Sequence, residues 1–275
     1  MRRPNKFNTD AILKMLTDYP GHFVIGILGK QGVGHKTDGI DMYVTPERAI
    51  LLDTEPVLSW TVLDKVLRSG SLGGLHPDLW LEMENLYNII FMMSVCNIVL
   101  VVSDGPELDM DLLRLLQRAV MLKFNLPDFP LLTGQQDMHY YPDMVFVCNK
   151  CQKQEFTFKK YSHVDRILTE CFEGSQLKTQ GLVGLSDVLP LFKSSQHHAN
   201  AFFLPDWSEK TQVESFDTLI SALRDQVFAA PRRAGKKGQV SEKDWYRNAI
   251  KTFELVRKSD YISDYLQVVR KLRDA

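Results

Sequence analysis

The stretch His22-Phe-Val-Ile-Gly-Ile-Leu-Gly-Lys-Gln-Gly-Val-Gly34 constrains the fold of this chain more than any other. Residues 23–28 form an apolar run too short for a helix, and the run leads straight into a loop with glycines at 29, 32 and 34. A buried strand feeding a glycine-spaced loop brings backbone N–H groups close to an anion, which is how such loops wrap phosphate. Gly29 and Gly34 keep the Gly-x4-Gly spacing, but His35-Lys36-Thr37 follows, so the expected Lys-Thr pair is displaced by one residue. In a working loop a lysine neutralises the β and γ oxygens and a Ser/Thr hydroxyl holds Mg²⁺.

The remaining pattern alternates. Residues 7–18 have helical spacing, and Tyr19-Pro20-Gly21 ends that helix. Residues 40–44 and 49–53 flank Thr45-Pro46-Glu47-Arg48, a hairpin connection. Helices are expected over 60–67 and 79–96, then a continuous apolar strand over 97–103. Helix 108–124, strand 143–149, helix 164–172, strand 199–204 and helix 216–228 complete the series. That order predicts an α/β fold with a mainly parallel sheet and helices on both faces, a main domain over residues 1–230. A basic, breaker-rich linker begins at 231, and Ser241-Glu-Lys-Asp244 reads as a capping box opening the first of two C-terminal helices. Their broad apolar face must pack on the main domain or on a partner.

Bulk properties exclude several classes. A net charge of −1 gives no overall field for nucleic acid, and the basic runs near 232–237 and 270–273 read as solvated faces. Hydrophobic (44%) and charged (24%) fractions are those of a globular chain rather than a disordered one. No stretch is long enough for a membrane span, and the N-terminus has no apolar signal segment, so a cytoplasmic location is expected. Cys148 and Cys151 have CxxC spacing without a second pair downstream, so reduced buried thiols are expected rather than a zinc site.

Two further stations support a nucleotide site. The strand ending Leu51-Leu-Asp53 offers an acid for Mg²⁺, and Asn149-Lys150 closes a strand with the base-reading pair of guanine-nucleotide proteins. Gln152 stands where the acid that selects guanine belongs. Glu55-Pro56 replaces the glycine of the switch after Asp53, and no glutamine follows to orient water. The interval between Gly34 and Ile40 is also too short for the crossover helix that a parallel neighbour of the first strand needs. The chain is then either a shortened variant or one in which His35 does not directly follow Gly34 in the parent protein, and the second is favoured. In that case Lys36 and Thr37 belong to a switch-like loop.

The tracts Thr37-Asp-Gly-Ile-Asp-Met-Tyr-Val-Thr-Pro-Glu-Arg48, Leu51-Leu-Asp-Thr-Glu-Pro-Val-Leu-Ser59 and Tyr140-Tyr-Pro-Asp-Met-Val-Phe-Val-Cys-Asn-Lys150 carry a family resemblance. With Glu242-Lys-Asp-Trp245 and Val256-Arg-Lys-Ser259, they resemble the ninth SMG factor of nonsense-mediated mRNA decay. The resemblance implies a P-loop, G-domain-like fold related to dynamin-type GTPases, with a helical C-terminal extension over 231–275. It implies a heterodimer with the eighth SMG factor through the G-like domains. It also implies that the pair binds and restrains the SMG phosphatidylinositol-3-kinase-related kinase that phosphorylates the helicase Upf-one. Family members carry a Lys-Ser after the third glycine and a variable region beyond it, both lacking here. Carried over, the nucleotide contacts are Gly29, Lys30, Gln31, Gly32, Val33, Gly34, Lys36, Thr37, Asp53, Asn149 and Lys150, with Asp53 and Thr37 toward Mg²⁺. The cofactor implied is a guanine or adenine nucleotide, GDP or GTP favoured over ATP. No catalytic residue is assigned: the expectation is a pseudo-GTPase in a regulatory scaffold, with no direct nucleic-acid or membrane contact. The alternative is a GTPase or ATPase completed in trans by its partner.

Overall fold

A computed structural model describes residues 9–30, 37, 39–70, 72–127, 140–193, 199–208, 214–231 and 240–274. Its elements are α1 (Thr9–Met15), β1 (Phe23–Gly29), β2 (Ile40–Val44), β3 (Ala49–Thr54), α2 (Trp60–Ser69), α3 (Pro77–Val95) and β4 (Ile98–Asp104). They continue with α4 (Met110–Lys123), β5 (Asp143–Cys151), α5 (Phe158–Cys171), β6 (Ala201–Pro205), α6 (Phe216–Phe228), α7 (Glu242–Arg257) and α8 (Asp260–Asp274). Six strands form one sheet in the order β2-β3-β1-β4-β5-β6, parallel except for β2 at the edge. This is the mainly parallel α/β sheet the alternation predicts, and its order suits a G-domain-like fold.

Side-chain alternation along β1 assigns the two faces. A Cβ on Gly26 would meet Met92 Cε at 2.7 Å and Cys96 Sγ at 2.9 Å, so the Gly26 face lies under α3. Phe23, of opposite parity, meets Phe228 of α6 at 6.2 Å between ring centroids. Helices therefore cover both faces. Strand β6 is buried throughout and β5 through its middle, as their apolar runs require, while β4 is buried at its start and opens toward Asp104.

The turn from β2 to β3 closes with Thr45 N donating to Ala49 O at 2.9 Å and Arg48 in the left-handed region at φ 65°. From that turn the Arg48 guanidinium donates to Pro20 O (2.7 Å), Tyr19 O (2.8 Å) and Glu242 Oε1 (3.3 Å). Glu242 also accepts from Thr17 N (2.7 Å) and Thr17 Oγ1 (2.9 Å). A single buried carboxylate thus binds the N-terminal segment, the hairpin and the start of α7 together.

The C-terminal helices pack on the chain's own core. Ser241 Oγ caps α7 by accepting from Asp244 N at 3.1 Å, as the capping-box reading requires. Trp245, 2% exposed, donates Nε1–H to Val95 O at 3.0 Å, and Phe253 meets Phe91 edge-on at 5.4 Å. Arg257 forks onto Glu84 of α3 at 2.8 and 3.0 Å. Ile262 anchors α8, whose Arg273 pairs with Asp78 and Glu82 of α3. Most of the basic linker lies outside the described residues. No helix among the described residues is long and apolar enough to cross a membrane.

Three expectations change. No crossover helix is needed after β1, because the next strand, β2, runs antiparallel to β3 and starts opposite Thr54, at the sheet edge where β1 ends. Helix α5 starts at Phe158, ahead of the expected 164: Thr157 Oγ1 accepts from Lys160 N, and residues 158–160 face solvent, hiding the periodicity. Strand β5 runs on to Cys151 through a register shift, with Lys150 at φ 54°.

Candidate nucleotide site

In an open, mostly parallel sheet, ligands bind beyond the carboxyl ends of the strands, where the direction of chain connection reverses. Here the chain moves from β1 outward to β2 and β3, then returns past β1 to β4. The reversal lies at the end of β1, at Gly29. The other stations end on the same edge: Asp53 is the next-to-last residue of β3, Asp104 closes β4, and Asn149 pairs in register with Asp104.

Gly29 is fixed from two sides. A Cβ there would lie 2.9 Å from Val102 O, a backbone atom that cannot swing away, so only glycine lets β1 and β4 approach this closely. Its carbonyl accepts Val57 N–H at 2.8 Å. Of the glycine loop proper, Gln31, Gly32, Val33, Gly34 and Lys36 lie outside the described residues. Lys30 is described, and its ammonium forms an ion pair with Asp109.

Thr37 and Asp53 meet. Thr37 is 8% exposed, and its Oγ1 donates to Asp53 Oδ2 at 2.8 Å, joining the loop after the glycines to the end of β3. Both offer oxygen, the donor Mg²⁺ prefers, and a Mg²⁺ bound with phosphates needs only one or two protein ligands. The pair fits that role. Among the described residues no group of three or more His, Cys, Asp and Glu could hold a metal alone.

The segment after Asp53 is stitched down. Thr54 Oγ1 donates to Ile27 O (3.1 Å), Glu55 N to Gly39 O (2.7 Å) and Val57 N to Gly29 O (2.8 Å). Leu58 N donates to Asn85 Oδ1 of α3 at 3.2 Å. Pro56, between them, has no N–H to offer.

At the other end of the edge, Lys150 Nζ donates to Asp104 Oδ2 at 3.1 Å, and Gly105 N donates to Asn149 O at 2.6 Å. Gly105 sits at φ 74°, which lets that turn fold back onto β5. Asp206, just past β6, is held below the usual carboxylate range by the backbone and hydroxyl of Ser208, with a smaller pull from Lys150. Gln152 gives its N–H to Glu155 Oε2 at 2.9 Å. The neighbouring Cys148 and Cys151 are buried free thiols; burial raises Cys148 to about 12.

Of the site residues read from the sequence, the described ones therefore fall into two groups on one edge, Gly29–Lys30–Thr37–Asp53 and Asn149–Lys150. The sequence reading did not single out Asp104 or Asp109. Asp104-Gly105-Pro106 looks like a plain turn, and an acid before a helix looks like a cap.

No family model matches the chain. Nonsense-mediated mRNA decay factor SMG9 of Xenopus tropicalis is 26% identical over 329 residues, covering 94% of this chain and 64% of the relative. SMG9 of Salmo salar is 29% identical over 324 residues, with 93% and 64% covered. The chain thus spans just under two thirds of these relatives' length. Both alignments exceed the 275 residues of this chain, so the relatives carry segments it lacks. Among solved structures, translation elongation factor SelB from Methanococcus maripaludis, in complex with a GTP analogue, matches at a TM-score of 0.35 and 11% identity, over 78% of this chain and 36% of that one. So slight a likeness supports nothing further.

Proposed function

Because this chain is a relative of the SMG9 nonsense-mediated mRNA decay factors over nearly its whole length, we propose that it is a nucleotide-binding regulatory subunit of that pathway. The Thr37–Asp53 hydrogen bond carries the nucleotide part of this reading. It sets a buried hydroxyl and a carboxylate on the strand beside the reversal point of the sheet, within the edge where phosphate and Mg²⁺ would bind. In this reading residues 29–34, with Lys36, cradle phosphate, Thr37 and Asp53 hold Mg²⁺, and Asn149 and Lys150 meet the base. When bound, Mg²⁺ would neutralise phosphate charge. The body ends near residue 230 and the extension starts at 231. The subunit pairs with the eighth SMG factor through its G-like domain, and together they restrain the phosphatidylinositol-3-kinase-related kinase acting on Upf-one. Its location is cytoplasmic.

Little or no hydrolysis is expected. The switch after Asp53 has Pro56 where a backbone N–H would meet a terminal phosphate, and the N–H groups of Glu55 and Val57 are already committed to Gly39 and Gly29. The base is guanine by Asn149-Lys150, with adenine admitted because Gln152 is no acid.

The test is the melting temperature of the purified chain with GDP, GTP and ATP, with and without Mg²⁺. A ligand at a hundred times its Kd adds about 2.7 kcal/mol of stability. A rise that Gly32→Arg and Asp53→Ala both abolish supports the reading; no rise with any of the three removes it. Multiple-turnover hydrolysis by the heterodimer, lost in Asp53→Ala, would instead establish an NTPase completed in trans.

A further inference from the structure

Asp109 lies on the connection from β4 to α4, with no role assigned by motif or resemblance. Two interactions meet on its carboxylate. It caps α4, accepting Leu112 N–H at 2.9 Å, and it pairs with the ammonium of Lys30, the residue at which the chain leaves β1. Burial pushes this carboxyl up, but the Lys30 ammonium and the helix N–H groups outweigh that and hold it below the usual range. It is charged at neutral pH.

The geometry points to Asp109 as a positioning residue of the phosphate site. Lys30 follows Gly29, itself fixed by Val102 O on one side and Val57 N–H on the other. With Lys30 tied to Asp109, the exit of β1 is fixed against three neighbours: strand β4, the β3–α2 segment and the cap of α4. Lys30 then spends its charge on Asp109 and not on phosphate. The lysine acts through the carboxylate, which sets where the loop departs. This rests on the nucleotide reading above.

Asparagine keeps the cap but loses the charge, so Asp109→Asn separates the two interactions. The pair is partly exposed, with side chains 42% and 27% accessible. A pair of that kind changes affinity by about fivefold at most. In calorimetric titration of the full chain with GDP and ATP, Asp109→Asn and Lys30→Gln should each weaken binding about three- to fivefold. The double variant should be no weaker than either single one. A Lys30→Gln loss with Asp109→Asn unchanged or tighter would place Lys30 on the phosphate and overturn the inference. So would additive losses.

A second measurement does not depend on nucleotide. Amide exchange at Gly29 and Lys30 in the ligand-free chain should speed up in Asp109→Asn, with α4 amides unchanged; unchanged exchange at Gly29 and Lys30 would also overturn the inference. If the wild-type chain binds neither nucleotide, the nucleotide reading falls, and the exchange result alone decides whether Asp109 holds the exit of β1.

Discussion

The Glu84–Arg257 pair should respond asymmetrically to removal of its two partners. Glu84 lies inside α3 with its side chain 9% exposed, whereas the Arg257 side chain on α7 is 29% exposed. Arg257→Met strands a buried carboxylate. Breaking a fully buried pair from one side costs about 3–5 kcal/mol, and partial access to water brings this one to about 2–3 kcal/mol. Glu84→Met leaves a guanidinium that reaches water and still lies over Tyr87 at 5.1 Å and Phe253 at 5.6 Å. That variant should lose only about 1 kcal/mol, because exposed cation–π contacts of about 0.5–1 kcal/mol each survive. The double variant, with two apolar side chains meeting at the α3–α7 seam, should be more stable than Arg257→Met alone. Urea unfolding of the four proteins at pH 7 gives the cycle, provided the transitions are two-state. At roughly 2–4 °C per kcal/mol, Arg257→Met should melt about 5–10 °C lower than wild type. Equal losses for the two single variants, or a double variant less stable than Arg257→Met, would show that the seam is held by something other than this charge pair.

Other expectations are as specific. Gly29→Ala drives a Cβ against the Val102 carbonyl, so β1 must shift from β4; a loss of about 1–3 kcal/mol is expected in chemical denaturation, together with weaker nucleotide binding. Burial pushes the Glu242 carboxyl up, but Thr17 and Arg48 outweigh it and hold its folded-state pKa below the ordinary 4.5. Its contribution is therefore fully present above 4.5 and fades as pH falls through the lowered folded value. Glu242→Gln should cost about 1–2 kcal/mol at pH 7, and its gap from wild type should narrow below pH 4.5, read by melting temperature across pH. Deleting residues 241–275 uncovers the α3 surface around Phe91 and Val95, and size-exclusion chromatography should show aggregated chain. A truncated monomer melting like the full chain would contradict the packing argument.

The central strands were legible because burial between two helical layers favours runs dominated by apolar residues. The runs at 23–28, 97–103 and 143–149 read as strands of a parallel sheet, and they are β1, β4 and β5. The hairpin and the Ser241 cap were legible because each depends on residues within a few positions of one another. Asp53 was found by chain order and Thr37 by family resemblance, and their contact at 2.8 Å could not have been derived from spacing alone. The crossover argument failed on geometry. It treated the connection after β1 as leading to a parallel neighbour, yet the edge strand β2 intervenes and reverses direction, so the two strand ends share one edge of the sheet.

What stayed hidden is polar and long-range. Glu84 and Asn85 look like solvent positions on a mostly apolar helix, but their partners are Arg257, far along the sequence, and Leu58, just past the switch segment. Helix α3 has no water-facing stripe along residues 84–95, because it is enclosed by β1, α4 and α7. Inside such an enclosure Glu84 and Asn85 each meet a specific partner, since an unpaired buried carboxylate or amide would cost several kcal/mol. The same logic exposes Asp109. An acid before a helix is adequately explained by capping, so nothing local reveals that Lys30, on a different connection, shares its charge. Short-range rules account for every interaction they can see at such a residue. The second interaction appears only when the sheet order brings the end of β1 beside the start of α4.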